Sequence, residues 1–302
     1  MMKNIMLRRS FRVKVFFGCL FLIVCQLFQT TNLQAKTEEL VIGLEPEHNI
    51  FDQVARYREL TDFLSAELGI KVRLTIMSRY GEVLKRFQSR RLDGAFLNSF
   101  TASLAIKEFD LEPVARAVNL QGDATTRGLI FTRRDSGIKT SGDMKGKSIV
   151  FVDPSTTEGY LFPRSYFRQQ GLLDLKTDFS RYFFSGSDAS AIFAVLDGRA
   201  DIGSAKDATF NRLTEKDSSI KSELSILAES PAFPDTTLCL RKDIPGELKS
   251  SLLSTLLQMN QTEKGKKILN KFTALRFELA AFSDFEEIMK MQKSLDTRME
   301  KK

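Results

Sequence analysis

Apolar and polar positions along this chain fall into blocks that read as strand, helix, strand. A short apolar run at 40–44 ends in Glu45-Pro46-Glu47-His48-Asn49. Apolar side chains at 51, 54, 55, 60, 63, 64 and 68 then make one helical stripe, stopped by Gly69. Val72, Leu74 and Ile76 alternate with polar neighbours, as a half-buried strand does. An amphipathic helix is predicted over 80–92, and Asp93-Gly94 turns the chain into a strand at 95–98. Ser99 is placed to cap the next helix, through Lys107.

The rhythm then restarts. Strands are predicted at 128–132, 147–153, 179–184, 200–204, 224–228 and 237–241, with helices at 159–170, 187–196 and 208–213. The tail is predicted helical, over 245–259, 263–272 and 285 to about 298. Alternation of this kind implies an α/β protein whose sheets are mainly parallel and covered by helices on both faces. Two such units follow in order, which predicts two lobes: 36–126 plus 231–302, and 127–230, joined by two extended crossovers. Ligands of open α/β sheets bind at the carboxyl ends of strands. Here those loops are 45–49, 78–80, 98–101, 155–158, 186–190 and 205–207.

One of these loops stands out. Ile149-Val-Phe-Val152 runs into Asp153-Pro154, then into three hydroxyls, Ser155, Thr156 and Thr157, with a helix opening at Glu158. The first N–H groups of a helix lack partners and carry partial positive charge, so this edge suits an anion. Ser155 and Glu158 also have the spacing of a capping box, in which each satisfies the other's backbone donor. Both readings fit the segment.

Composition changes the picture at the N-terminus. The 302-residue chain has 42% hydrophobic and 27% charged residues, the balance of a globular protein. Residues 1–35 differ: Lys3, Arg8, Arg9, Arg12 and Lys14 precede an apolar run from Val15 to Phe28, and Leu33-Gln34-Ala35 offers a small residue for cleavage. That pattern predicts a cleavable signal peptide and a periplasmic location. The segment holds five of the 45 basic residues and none of the 38 acidic ones, leaving 40 against 38, a net +2. The basic balance is therefore partly an export signal, and nothing remains to suggest a nucleic-acid partner. Of three cysteines only Cys239 lies beyond the segment, in an apolar strand pattern where a small buried hydrophobe is the expected role.

Most enzyme chemistries find no residues here. His48 is the single histidine, tryptophan is absent, and no G-x-S-x-G, Walker or G-x-G-x-x-G motif occurs. No cofactor and no metal site is indicated. Hydroxyls and helix starts without an acid–base pair suit binding rather than turnover.

Several segments together resemble the substrate-binding proteins of phosphate, phosphite and phosphonate ABC transporters. They are Ile42-Gly-Leu-Glu-Pro-Glu-His-Asn49, Ala55-Arg-Tyr-Arg-Glu-Leu-Thr-Asp-Phe-Leu64, Asp93-Gly-Ala-Phe-Leu-Asn98, Arg134-Asp-Ser-Gly-Ile138, Phe151-Val-Asp-Pro-Ser-Thr-Thr-Glu-Gly-Tyr160, Phe184-Ser-Gly-Ser187 and Ala200-Asp-Ile-Gly203. The resemblance implies a two-lobed type II periplasmic-binding-protein clamshell closing on a small anion and delivering it to a permease. It implies that Ser155, Thr156 and Thr157 hold the oxyanion, with Tyr80, Thr101 and Ser187 closing the cleft and Asn98 among the ligand-binding residues. Asp207 is adjacent to the position of the acid that grips an aminophosphonate, and Asp235, after Phe233-Pro234, lies near the family's connector acid, where it could equally stabilise a turn.

Two departures stand against that pattern. The family's phospho-loop ends in Ser-Thr-Ser-Gly, whereas this chain has Glu158 before Gly159, and an aromatic of the third strand end is replaced by Leu97. An ionised carboxylate beside a phospho-group repels it by roughly 4 kcal/mol per unit charge at 4 Å and an effective dielectric of 20. Glu158 then caps the helix, or the ligand is less anionic, or it carries an amine. The expected protein is a monomeric solute-binding component of an ABC importer, taking a small anionic or zwitterionic solute. The alternative is a sensory subunit presenting the same solute to a membrane histidine kinase.

Overall fold

The computed structural model describes residues 39–46 and 50–295. The predicted signal segment, Glu47, His48 and the end of the last helix lie outside them. Two sheets organise the rest. The first has the order β13-β4-β12-β3-β1-β2 and is built from β1 (Glu39–Leu44), β2 (Lys71–Ile76), β3 (Gly94–Leu97), β4 (Glu112–Asn119), β12 (Thr237–Leu240) and β13 (Ala274–Leu279). The second has the order β10-β6-β9-β7-β8, from β6 (Gly128–Arg133), β7 (Ser148–Phe151), β8 (Arg181–Phe184), β9 (Ile202–Lys206) and β10 (Leu224–Glu229). The chain passes between the sheets twice, and the two passages pair antiparallel as β5 (Thr125–Thr126) and β11 (Phe233–Pro234).

The α/β class and the two-sheet plan follow the alternation, but the sheets are more mixed than mainly parallel. β1 runs parallel to β2 and β3, and β7 runs parallel to β8 and β9. The returning strands β12, β4 and β13, and likewise β6 and β10, are antiparallel to their neighbours. Each sheet thus has a parallel half and a half closed by return strands. β3 and β7 are buried along their whole length, which is why both read as continuous apolar runs instead of alternating ones.

Helices cover these sheets: α1 (Ile50–Leu68), α2 (Glu82–Gln88), α3 (Ser99–Phe109), α4 (Phe162–Gln169), α5 (Leu175–Asp178), α6 (Asp188–Leu196), α7 (Asp207–Lys216), α8 (Ser218–Glu223), α9 (Gly246–Gln258), α10 (Glu263–Lys271) and α11 (Glu286–Leu295). α1, α9 and α10 enclose one apolar cluster around Tyr57, Phe96 and Phe272, whose rings meet edge to face or tilted. The core beneath the second sheet centres on Phe151, whose ring meets Tyr160, Phe167, Tyr182 and Phe184. α11 packs on α3 and on α4, so the last helix touches elements attached to both sheets. Among the described residues no helix is long and apolar enough to cross a membrane. Cys239 is fully buried in β12 as a free thiol, and burial first, then the Glu45 carboxylate, push its pKa up.

Candidate functional site

The carboxyl ends of β1 and β3 meet the loop after β7, and the contact is polar. Asn98 follows β3 in an extended conformation, and its Oδ1 accepts from the backbone N–H groups of Phe100 and Thr101 at 2.8 and 3.2 Å. Asn98 therefore caps α3, in place of the predicted Ser99. Ser99 is already the first helical residue, and its hydroxyl instead donates to Thr157 Oγ1 at 2.7 Å. Asn98 Nδ2 also donates to the Ser155 carbonyl at 3.1 Å. These two bonds join the first sheet's helix start to the second sheet's loop.

Behind them lies Glu45, at the end of β1 and only 2% exposed. Its Oε2 accepts from the Asn98 N–H at 2.8 Å, Asn98 Nδ2 at 2.8 Å and Thr101 Oγ1 at 2.9 Å. A carboxylate of the chain itself thus takes the donors gathered at the start of α3, the place where a helix favours negative charge. Glu45 was not among the predicted site residues. Its signal in the sequence was an acid directly after an apolar strand, in a strand-end loop.

The loop after β7 departs from the capping-box expectation. Asp153 Oδ1 accepts from Ser155 N–H at 2.8 Å, and Thr156 Oγ1 donates to the Asp153 carbonyl at 2.7 Å. Thr156 is the residue preceding the helix, with no side-chain cap bond, and Thr157–Leu161 forms a π-turn that leads into α4. Ser155 lies one position too early, and Glu158 becomes the second helical residue instead of the third, so the box cannot close. Gly159 explains the tight geometry. A Cβ there would lie 2.5 Å from the Val152 side chain, and its carbonyl accepts from Val152 N–H at 3.1 Å and Ser204 Oγ at 2.8 Å.

Glu158 is consequently held inside, 3% exposed. Burial pushes its carboxyl up to about 7, opposed by the Lys206 ammonium and reinforced by the Asp235 and Asp188 carboxylates. Lys206 Nζ is 3.0 Å from Asp235 Oδ1, and the Lys206 backbone N–H donates to Asp188 Oδ1 at 2.8 Å. For Asp235, burial works against ionisation, but Lys206, the Thr236 N–H and Arg56 together hold the carboxyl below its ordinary value.

The remaining candidates take other places. Ser187 caps α6 by accepting from Ser190 N–H at 3.2 Å. Asp207 Oδ1 accepts from Thr126 Oγ1 at 2.7 Å and from Ala208 N–H at 2.6 Å, tying β5 to the start of α7. Tyr80 is buried in the turn before α2, within the apolar cluster that contains Phe131 and Val152 of the second sheet. Asn98, Thr101, Ser155 and Thr157 thus share one polar seam, while Glu158 and Asp235 meet at Lys206. Thr156 serves the loop's own backbone. Among the described residues no group of His, Cys, Asp and Glu is arranged to hold a metal ion.

The chain is similar to several known proteins. The chain is 28% identical over 196 residues to the phosphate-import protein PhnD of Mycolicibacterium smegmatis, a match covering 61% of this chain and 60% of that relative. It is 21% identical over 271 residues to a probable ABC transporter phosphite binding protein, PhnD1, of Prochlorococcus marinus, covering 85% and 90% of the two chains. The structure of that organism's PhnD1 in complex with methylphosphonate superposes with a TM-score of 0.75 at 20% identity, over 86% of this chain and 98% of that one. A binding protein component of an ABC phosphonate transporter from Pseudomonas aeruginosa gives 0.75 at 19% identity, over 85% and 86%. These structures share the two-lobed type II fold. The family of periplasmic substrate-binding proteins of phosphonate ABC transporters matches residues 42–285, and this chain belongs to it.

Proposed function

We propose that this protein is the periplasmic solute-binding component of an ABC importer, and that its ligand is a small oxyanion-bearing solute of the phosphate, phosphite or phosphonate kind. The observation carrying this reading is the seam where Ser99 meets Thr157 and Asn98 meets Ser155, a hydroxyl- and amide-rich junction between strand ends of two sheets. Hydroxyls and the N–H groups of a helix start supply donors that an oxyanion accepts, and two lobes that meet through such groups can close on one. Ser155 and Thr157 are the proposed oxyanion donors, while Thr156, whose N–H and hydroxyl both donate to the Asp153 carbonyl, shapes the loop that presents them. Asn98 and Thr101 position the facing helix, and Lys206 with Asp235 supplies the charged wall. The lobes of this reading are 36–126 with 231–302, and 127–230. One relative named above is a phosphate-import protein and others are binding proteins of ABC transporters, which supports delivery to a permease over presentation to a sensor kinase.

A thermal-denaturation screen of the chain from Lys36 tests the reading. Phosphate, phosphite or methylphosphonate should raise the melting temperature. Well-folded protein that responds to no oxyanion in such a panel would reject the ligand class.

A further inference from the structure

Glu158 replaces a neutral hydroxyl of the family's phospho-loop, and its surroundings say in which form it can serve there. The side chain is 3% exposed, and the donor that reaches its carboxyl is its own backbone N–H. No other described residue hydrogen-bonds it, although a buried carboxyl ordinarily has such partners.

The charged groups around it are few. β9 brings Lys206, the start of α6 brings Asp188, and the crossover before β12 brings Asp235. Arg127, beside the Gly128 that lies against the Glu158 backbone, is paired with Glu229. Arg133 of β6 is paired with Asp135 and Glu223 at the far end of its strand. Lys107 and Glu108 of α3 are exposed in the last turn, and Glu286, Glu287, Lys290 and Lys293 of α11 are exposed. Arg164 of α4 donates to Tyr160 Oη at 3.2 Å. On the first sheet, Glu45 Oε2 is already occupied by its three donors. Ionised Glu158 would therefore make a third carboxylate around one ammonium that is itself bound to Asp235. An arriving oxyanion would add a further negative charge to that group.

We infer that Glu158 and the oxyanion hold one proton in common, the carboxyl O–H donating to a ligand oxygen, so that the complex carries one proton more than a carboxylate and a fully ionised ligand would. The proton comes from solvent, or from the ligand when the ligand arrives protonated. No bond other than O–H changes. The inference rests on the oxyanion reading above and deepens it. A hydroxyl at this position donates at any pH, whereas this carboxyl donates only while it holds a proton. Capture is then coupled to pH.

Calorimetry of the chain from Lys36 with methylphosphonate at pH 8, in buffers of different ionisation heat, reads the proton directly. Wild type should take up more protons per ligand than Glu158→Gln, by up to one, the ligand's own titration being common to both. Wild-type affinity should also fall by up to tenfold per pH unit above neutrality relative to the variant. Equal proton uptake, or proton release, overturns the inference and leaves the oxyanion reading intact. If the Gln variant does not fold or bind, the 13C shift of the Glu158 carboxyl in the wild-type complex decides. A protonated signal at pH 8 supports the shared proton, and a carboxylate signal overturns it. If methylphosphonate, phosphite and phosphate all fail to bind wild type at pH 6 and pH 8, the ligand class fails and the inference falls with it.

Discussion

Ser99 Oγ donates to Thr157 Oγ1 at 2.7 Å, a fully buried bond between the helix that follows β3 and the helix start that follows β7. The two residues are 58 apart in sequence and come from different sheets. Thr157 accepts in this bond and keeps its own proton for a further partner. Replacing Thr157 by Ala should abolish the melting-temperature rise produced by an oxyanion. Ser99→Ala should keep that response while lowering stability by about 1–3 kcal/mol, the usual cost of losing a buried partner. Thermal scans of both variants with and without methylphosphonate separate the two roles.

Glu45 is expected to be structural. Glu45→Ala would leave the Asn98 N–H, Asn98 Nδ2 and Thr101 hydroxyl without their shared acceptor. Hydrogen bonds to a charged group are the stronger ones, so a loss of about 3 kcal/mol or more is expected. Glu45→Gln keeps one oxygen and should cost less. Urea unfolding at pH 7 measures the difference.

Glu158 makes stability depend on pH with a definite sign. Its carboxyl is raised from 4.5 to about 7, so the folded protein binds its proton more tightly than the unfolded chain does. The favourable contribution is fully present below 4.5 and is lost as pH rises to about 7. By linkage the full loss is roughly 3 kcal/mol. Glu158→Gln removes this dependence, and it should be more stable than wild type at pH 8 and nearly equal at pH 4. Denaturant midpoints across that range provide the check, and a variant that loses stability at pH 8 would contradict it.

Lys206 holds that carboxyl down. Lys206→Met removes the ammonium 3.0 Å from Asp235 and leaves Asp235, Asp188 and Glu158 facing one another. The Glu158 titration should move to higher pH, visible in its side-chain 13C shift. Stability at neutral pH should drop by about 3–5 kcal/mol, as when one member of a buried ion pair is removed, with partial exposure reducing that figure.

Phe151 is fully buried and four other rings meet it. Phe151→Ala should cost about 3–5 kcal/mol. Because Phe151 ends the strand that carries the Asp153–Glu158 loop, ligand response should weaken along with stability.

Strand and helix order was largely legible in the chain, because periodicity is a local property. β1, α1, β2 and β3 sit within a residue or two of their stripes. β4 and β13 escaped detection for a shared reason. Both carry register shifts, β4 against β12 between Leu238 and Cys239 and β13 against β4 between Ala274 and Arg276. In β13 the shift leaves Ala274 and Phe277 buried three positions apart, which no period of two would reveal. The segments containing them therefore read as loop and as helical tail.

Which loops lie at strand ends, which hydroxyls follow β7, and that an acid comes directly after them could all be read from the chain alone. Those are matters of spacing, and spacing needs no partner. How the polar groups are used was settled by folding. It placed Glu45 on the Asn98 and Thr101 donors more than fifty residues away. It opened the helix at Thr157 as a π-turn, which shifted Glu158 out of capping register. It then buried that carboxyl beside Lys206, Asp235 and Asp188. Hydrogen-bond pairing and desolvation depend on what distant segments bring to the same point, and no local pattern records that.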